Sequence, residues 1–176
     1  MTEPVAEKDP IAEPQIQPRR RLGMLLAIAV AILAADQLTK AWAVDALASG
    51  RTIPLLGSLL NLHLVANPGA AFSMFESLTW VFTILSSVVV VAVVLIARRV
   101  RSTIWAVVLG MLLAGAAGNL GDRLFRPPGI GQGHVVDFID YAGLFVGNVA
   151  DIAIVLATVA MVVTVLRGTA LDGARK

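Results

Sequence analysis

Four stretches of this sequence, 22–44, 77–97, 102–121 and 148–166, run for about 20 residues each with almost no charge, the length that carries an α-helix across a ~30 Å hydrocarbon core. A backbone immersed in lipid must satisfy its own hydrogen bonds, so runs of this kind can only be helices. The expected fold class is an all-α membrane protein: four transmembrane helices with a small extracytoplasmic β-hairpin or sheet segment. Composition agrees, since 57% of residues are hydrophobic and only 15% charged, a balance that a soluble domain of 176 residues does not need. A net charge of +2 is too small to suggest nucleic acid, and no such partner is expected. The absence of cysteine removes disulfides, thiol nucleophiles and cysteine-ligated metals, and two histidines do not make a zinc site.

Residues 1–18 hold Pro4, Pro10, Pro14 and Pro18 among Glu and Asp, with too little aliphatic sequence to order themselves. We read 1–21 as a disordered cytoplasmic tail, 22–166 as one four-helix domain and 167–176 as a second cytoplasmic tail. Arg19-Arg20-Arg21 ahead of an apolar run that reaches Ala34-Ala35 resembles a signal peptide, but three further spans follow, so the run is read as a retained helix. Basic residues set the orientation. One side carries Lys8, Arg19, Arg20, Arg21, Arg98, Arg99, Arg101, Arg167, Arg175 and Lys176; the other has Arg51, Arg123 and Arg126. Ten against three places both termini in the cytoplasm.

Two segments then face outward. In 45–76, Thr52 to Leu56 and Leu60 to Val65 flank Gly57-Ser58, which predicts a hairpin at the bilayer surface. The polar turn Asn67-Pro68-Gly69 precedes Ala70-Ala71-Phe72, so the segment is expected either to cover a site as a mobile flap or to anchor through Phe72 and Phe75. The segment 122–147 is rich in Pro and Gly around Pro127 to Gly131 and is expected to be a flexible loop returning the chain to the membrane.

Ionisable residues within or beside lipid need a partner or a task. Asp36 and Lys40 lie four apart in the first span, and the expectation is an ion pair near the outer interface with Lys40 snorkelling. The third span carries Gly110, Ala114 and Gly118 at four-residue spacing, a strip for close helix approach. Beyond it come Asn119 and Asp122 on a shared face, then Arg123. Asp122 and Arg123 suit a structural clamp. The fourth span opens with Asn148-Val149-Ala150-Asp151, which has the form of a helix cap. Yet it echoes Asn119-Leu120-Gly121-Asp122, and both pairs face the same interface.

Between them, His134-Val135-Val136-Asp137-Phe138-Ile139-Asp140 alternates and sets Asp137 opposite Val136 and Phe138. Several carboxylates converge where the dielectric is low, and two close ones cannot both ionise easily. An acid and a base then coexist, as water attack on an amide requires. A Ser/Lys hydrolase using Lys40 and Ser73 has no support in the spacing, and a Gly-x-Gly-Asp signature is absent. A coupled carrier lacks a mid-span acid in the second and third helices. The residues favour a carboxylate-dyad hydrolase and leave open which pair among Asp122, Asp137, Asp140 and Asp151 acts.

Five pieces of this sequence, in order, are Asp36-Gln37-Leu38-Thr39-Lys40, Asn67-Pro68-Gly69-Ala70-Ala71-Phe72-Ser73, Gly118-Asn119-Leu120-Gly121-Asp122-Arg123, Val135-Val136-Asp137-Phe138 and Asn148-Val149-Ala150-Asp151. Together they closely resemble the bacterial lipoprotein signal peptidase family, signal peptidase II. The resemblance implies that Asp137 and Asp151 are the catalytic aspartates and that no metal or cofactor is used. It implies that Asn67, Gly69, Asn119, Asp122, Arg123 and Asn148 bind substrate or hold the dyad, with Asp36 and Lys40 as a supporting pair. It implies prolipoprotein substrates whose cysteine bears diacylglycerol, cut just before that cysteine. The implied place is the bacterial cytoplasmic membrane among its lipids, with the site at the outer face; a monomer is expected. One position departs: Gly147 stands where family members usually carry Phe.

Overall fold

The computed structural model describes residues 21–69 and 79–174. The expected tail, apart from Arg21, lies outside the described residues, as do Ser73, Phe72 and Phe75 and the flap-or-anchor question that turns on them. Eight elements follow one another: α1 (Leu22–Ala46), β1 (Ile53–Leu56), β2 (Leu60–Asn67), α2 (Thr79–Ala97), α3 (Thr103–Phe125), β3 (Val135–Tyr141), β4 (Phe145–Gly147) and α4 (Val149–Leu166). All four helices are long and apolar enough to cross a membrane. In α2 the run of Val and Ile would be a poor helix former in water; lipid leaves that backbone no alternative partner.

Mean hydropathy separates α3 from the rest. It is lowest there, 1.7 against 2.7 in α2, yet 56% of its apolar window is buried against 17% in α2. The helix least suited to lipid is thus the one surrounded by protein. Small residues let its neighbours close in. A methyl added at Gly115 would lie 2.6 Å from the Ala150 carbonyl of α4, and one at Gly118 would lie 2.5 Å from Asp36 Oδ2 of α1.

Helix ends are satisfied locally. Ser102 caps α3 by accepting from the Trp105 N–H, and beyond α4 the chain returns to this end, where the Leu171 carbonyl accepts from Arg101 and Ser102. A cluster of Leu25, Val93, Ala97, Val100, Ala106 and Leu109 fills that end of the bundle.

At the other end sits an antiparallel sheet in the order β1-β2-β3-β4. The hairpin around Gly57-Ser58 forms as expected. What the local pattern did not contain is the long-range ladder from β2 to β3, with Val65 opposite Asp137 and Asn67 opposite Val135. Hence 122–147 is not simply a flexible return loop: it supplies two strands, and Val136 and Phe138 pack with Ala43 and Leu47 at the end of α1. The third helix also continues past the expected stop at Gly121 to Phe125, carrying Asp122 and Arg123 into protein.

Candidate active site

Lys40 is the hub of the polar interior. Its side chain is wholly buried, and its ammonium meets Asp36 Oδ2 at 2.9 Å, Asp122 Oδ2 at 2.8 Å and Asn119 Oδ1 at 3.1 Å. Three N–H groups have three acceptors, so the expected snorkelling does not occur: α3 brings the second carboxylate and the amide to the lysine. Asp36 reaches further and accepts from the backbone N–H of Ala150 at 2.9 Å, an anion fixed on the first turn of α4. With its three donors engaged in this way, Lys40 is not placed to activate a serine.

Because Lys40 only donates, Asn119 must present its oxygen to it and turn its amide nitrogen the other way. That Nδ2 donates to Asp151 Oδ1 at 2.8 Å. Asn148 follows the same polarity, donating from Nδ2 to Asn119 Oδ1 at 3.2 Å and to Asp137 Oδ1 at 2.6 Å. Its own Oδ1 accepts from the Asp151 N–H at 3.0 Å, and its backbone N–H donates to Asp151 Oδ2 at 3.1 Å. The capping box foreseen at the start of α4 is therefore real. The same asparagine also holds Asp137, so cap and site are one structure.

The third asparagine comes from β2. Asn67 Nδ2 donates to Asp137 Oδ2 at 2.7 Å, and its Oδ1 accepts from the Gly69 N–H at 2.8 Å. Gly69 has φ 108, and a Cβ there would fall 2.6 Å from the Phe82 ring, so both conformation and space demand glycine. Burial pushes the Asp137 carboxyl up to about 6; the Asn67 N–H opposes this, the charge of Asp151 adds to it, and Asn148 and Lys40 oppose it again. The pair is thus gathered by amides from α3, α4 and β2.

Of the four acids left open by the residues, the fold brings Asp137 and Asp151 together. Asp122 is a clamp: Oδ1 accepts from Arg126 Nε at 2.7 Å, and Oδ2 takes Lys40 and the Val136 N–H at 3.2 Å. Asp140 points out of phase with Asp137, accepting from the Gly143 N–H at 2.7 Å with His63 at 3.7 Å. Arg123 is buried over the Phe82 ring, 5.7 Å from its centroid, with Nη1 3.4 Å from the Asn119 carbonyl. Its Nε has no hydrogen-bond partner among the described residues, and its charge interacts with Asp137, Asp151 and Asp122. No group of three or more His, Asp or Glu among the described residues is arranged to hold a metal.

Two contributors escaped the sequence reading. Arg126 was counted only as an outer charge, although its spacing of four from Asp122 was the available signal. Gln37 bonds Asp36 Oδ2 at 3.1 Å and had no distinguishing pattern. At Gly147, a Cβ would meet the Phe145 ring at 2.7 Å and Asp151 Oδ2 at 3.1 Å. The ring of Phe145, stacked on Tyr141, stands over the glycine beside the dyad.

A family model described as signal peptidase (SPase) II matches residues 28–167. The chain is 48% identical over 165 residues to the lipoprotein signal peptidase of Rhodococcus jostii, spanning 94% of this chain and 83% of that protein. It is 46% identical to the lipoprotein signal peptidase of Mycobacterium avium, over 93% and 91% of the two chains. Two solved bacterial membrane enzymes share the fold, both at 25% identity. One gives a TM-score of 0.74 over 92% of this chain and 98% of that one, the other 0.71 over 88% and 100%.

Proposed function

The chain belongs to the signal peptidase II family, and we propose that it removes the signal peptide from diacylglyceryl-modified prolipoproteins, cutting just before the lipidated cysteine with Asp137 and Asp151 as the catalytic pair. The observation that carries this reading is the amide frame: Asn148 bonds both carboxylates, and every hydrogen-bond donor to either one among the described residues is neutral. No cation is bonded to either carboxylate among the described residues, so burial and the repulsion between the two charges favour one shared proton, against the pull of the amides.

In the step we propose, one carboxylate takes a proton from water as the water oxygen bonds to the scissile carbonyl carbon. The partner, protonated, gives its proton to the carbonyl oxygen, and a tetrahedral diol forms. The diol then returns a proton to the acid that gave one, the C–N bond breaks, and the proton taken from water passes to the leaving amine. Asn67 and Arg123, whose Nε has no hydrogen-bond partner among the described residues, would position the peptide and lipid oxygens. The basic-residue count supports an outer-face site with cytoplasmic termini, where a lipid-tethered peptide presents its scissile bond.

The test is cleavage by purified protein, with a chelator present, of a precursor with and without its diacylglyceryl group. Only the lipidated precursor should be cut, and Asp137→Asn or Asp151→Asn should each lower turnover by about three orders of magnitude or more. Turnover by either variant within tenfold of the parent would sink the assignment.

A further inference from the structure

Away from the dyad, a cleft of about 250 Å³ opens between the last turns of α1, strands β2 and β3 and the end of α3. Val44, Leu64, Ala66 and Val136 give it apolar walls, and Arg126 and His134 are its polar lining. Val136 is out of phase with Asp137 on β3, and none of the asparagines that hold the dyad lines the cleft. Val65, the register partner of Asp137, also lines it, so the cleft is a separate feature along the β2–β3 ladder.

Three observations bear on what it holds. The cleft lies at the level where α1 and α3 end, with half-exposed Trp42 two residues before Val44, as aromatic residues are placed at the headgroup boundary. Arg126 is the one formally charged side chain in the lining; its Nε is engaged by Asp122, while its two Nη groups have no partner among the described residues. The guanidinium fork matches a phosphodiester, and a neighbouring imidazole adds a further donor. We propose that the cleft binds one anionic phospholipid of the surrounding bilayer, an acyl segment on the valine and leucine wall and the phosphate on Arg126 and His134.

Occupancy has a consequence inside the protein. Arg126, Asp122, Lys40 and Asn119 form one chain of bonds that ends on Asp151. A phosphate drawing on the guanidinium loads the cluster that orients the dyad's amides.

The full chain in nanodiscs of mixed phosphatidylcholine and phosphatidylglycerol, with retained lipid counted by native mass spectrometry, tests the proposal without any cleavage step, so its failure is distinct from failure of the peptidase reading. Phosphatidylglycerol should be retained in preference, and Arg126→Gln should reduce that preference by roughly fivefold or more. Ala66→Trp, which fills the apolar wall and leaves every member of the ion cluster in place, should do the same with the melting temperature kept. Excess inorganic phosphate should leave retention unchanged; displacement would mean a free-anion site and overturn the lipid assignment. Equal retention of both lipids, or a preference that survives Ala66→Trp, also overturns it.

Discussion

The same short phrase, Asn-x-x-Asp, occurs at the end of α3 and at the start of α4, and the two aspartates have opposite surroundings. Asp122 accepts from Lys40 and Arg126, two cations, and from one backbone N–H. Asp151 accepts from the Asn119 side chain and the Asn148 backbone, both neutral. A carboxylate bonded to two cations ties together the segments that carry them. One held by neutral donors has no counter-charge bonded to it, the arrangement that the proposed proton transfer calls for. On the proposed reading, the charge of the donors, and not the phrase that encodes the acid, distinguishes clamp from reactive group.

The widest separation between the two should come from converting each to asparagine. Asp151→Asn should abolish turnover at a cost in stability of only about 1 kcal/mol, because the new amide keeps one acceptor for the two donors that Asp151 serves. Asp122→Asn removes the charge shared by Lys40 and Arg126, and breaking a buried ion pair costs roughly 3 kcal/mol or more. Melting curves and turnover per folded molecule separate the effects. If Asp122→Asn were as inactive as Asp151→Asn while melting like the parent, the distinction drawn here would be wrong.

A smaller effect probes how closely α3 must approach the cluster. Gly118→Ala would set a methyl 2.5 Å from Asp36 Oδ2, the atom that holds Lys40, and overpacking of this kind costs about 1–3 kcal/mol. Gly121→Ala, on the same helix with nothing within 4 Å of the added carbon, is the control and should be near neutral. Equal melting of the two variants would show that the cluster yields freely.

Much of this is legible in the sequence alone. The four helices announce themselves because lipid imposes one simple requirement on about 20 residues at a time. The hairpin at Gly57-Ser58 was legible for the same reason, since its pattern is local. Asp137 and Asp151 were singled out by resemblance; the residues alone left four acids open. Their pairing depends on a β2–β3 ladder joining positions about 70 apart and on amide polarity set by Lys40, neither of which leaves a local trace. Lys40 itself was misjudged: a lysine four residues from an aspartate looks like a snorkelling pair until α3 supplies two more acceptors.

The finest test concerns Asn67, the amide that reaches Asp137 from the sheet. Its N–H stabilises the charged carboxylate and is the largest influence opposing burial, so Asn67→Ala should raise the Asp137 pKa further above 6. Whichever partner carries the proton at rest, kcat/KM should bend where Asp137 titrates, and in the variant that bend should move to the alkaline side of pH 6. Stability gives a second readout with a definite sign. The folded Asp137 titrates above its unfolded range, so its contribution to stability is fully present below pH 4 and is lost as pH rises through about 6. Removing Asn67 deepens that loss, and the variant should fall below the parent by about 1 kcal/mol at pH 5 and by roughly 1.5–3 kcal/mol at pH 8, where the missing bond is to a charge. An unmoved bend together with an equal stability gap at both pH values would make Asn67 a clip between β2 and β3 with no hold on the chemistry of the pair.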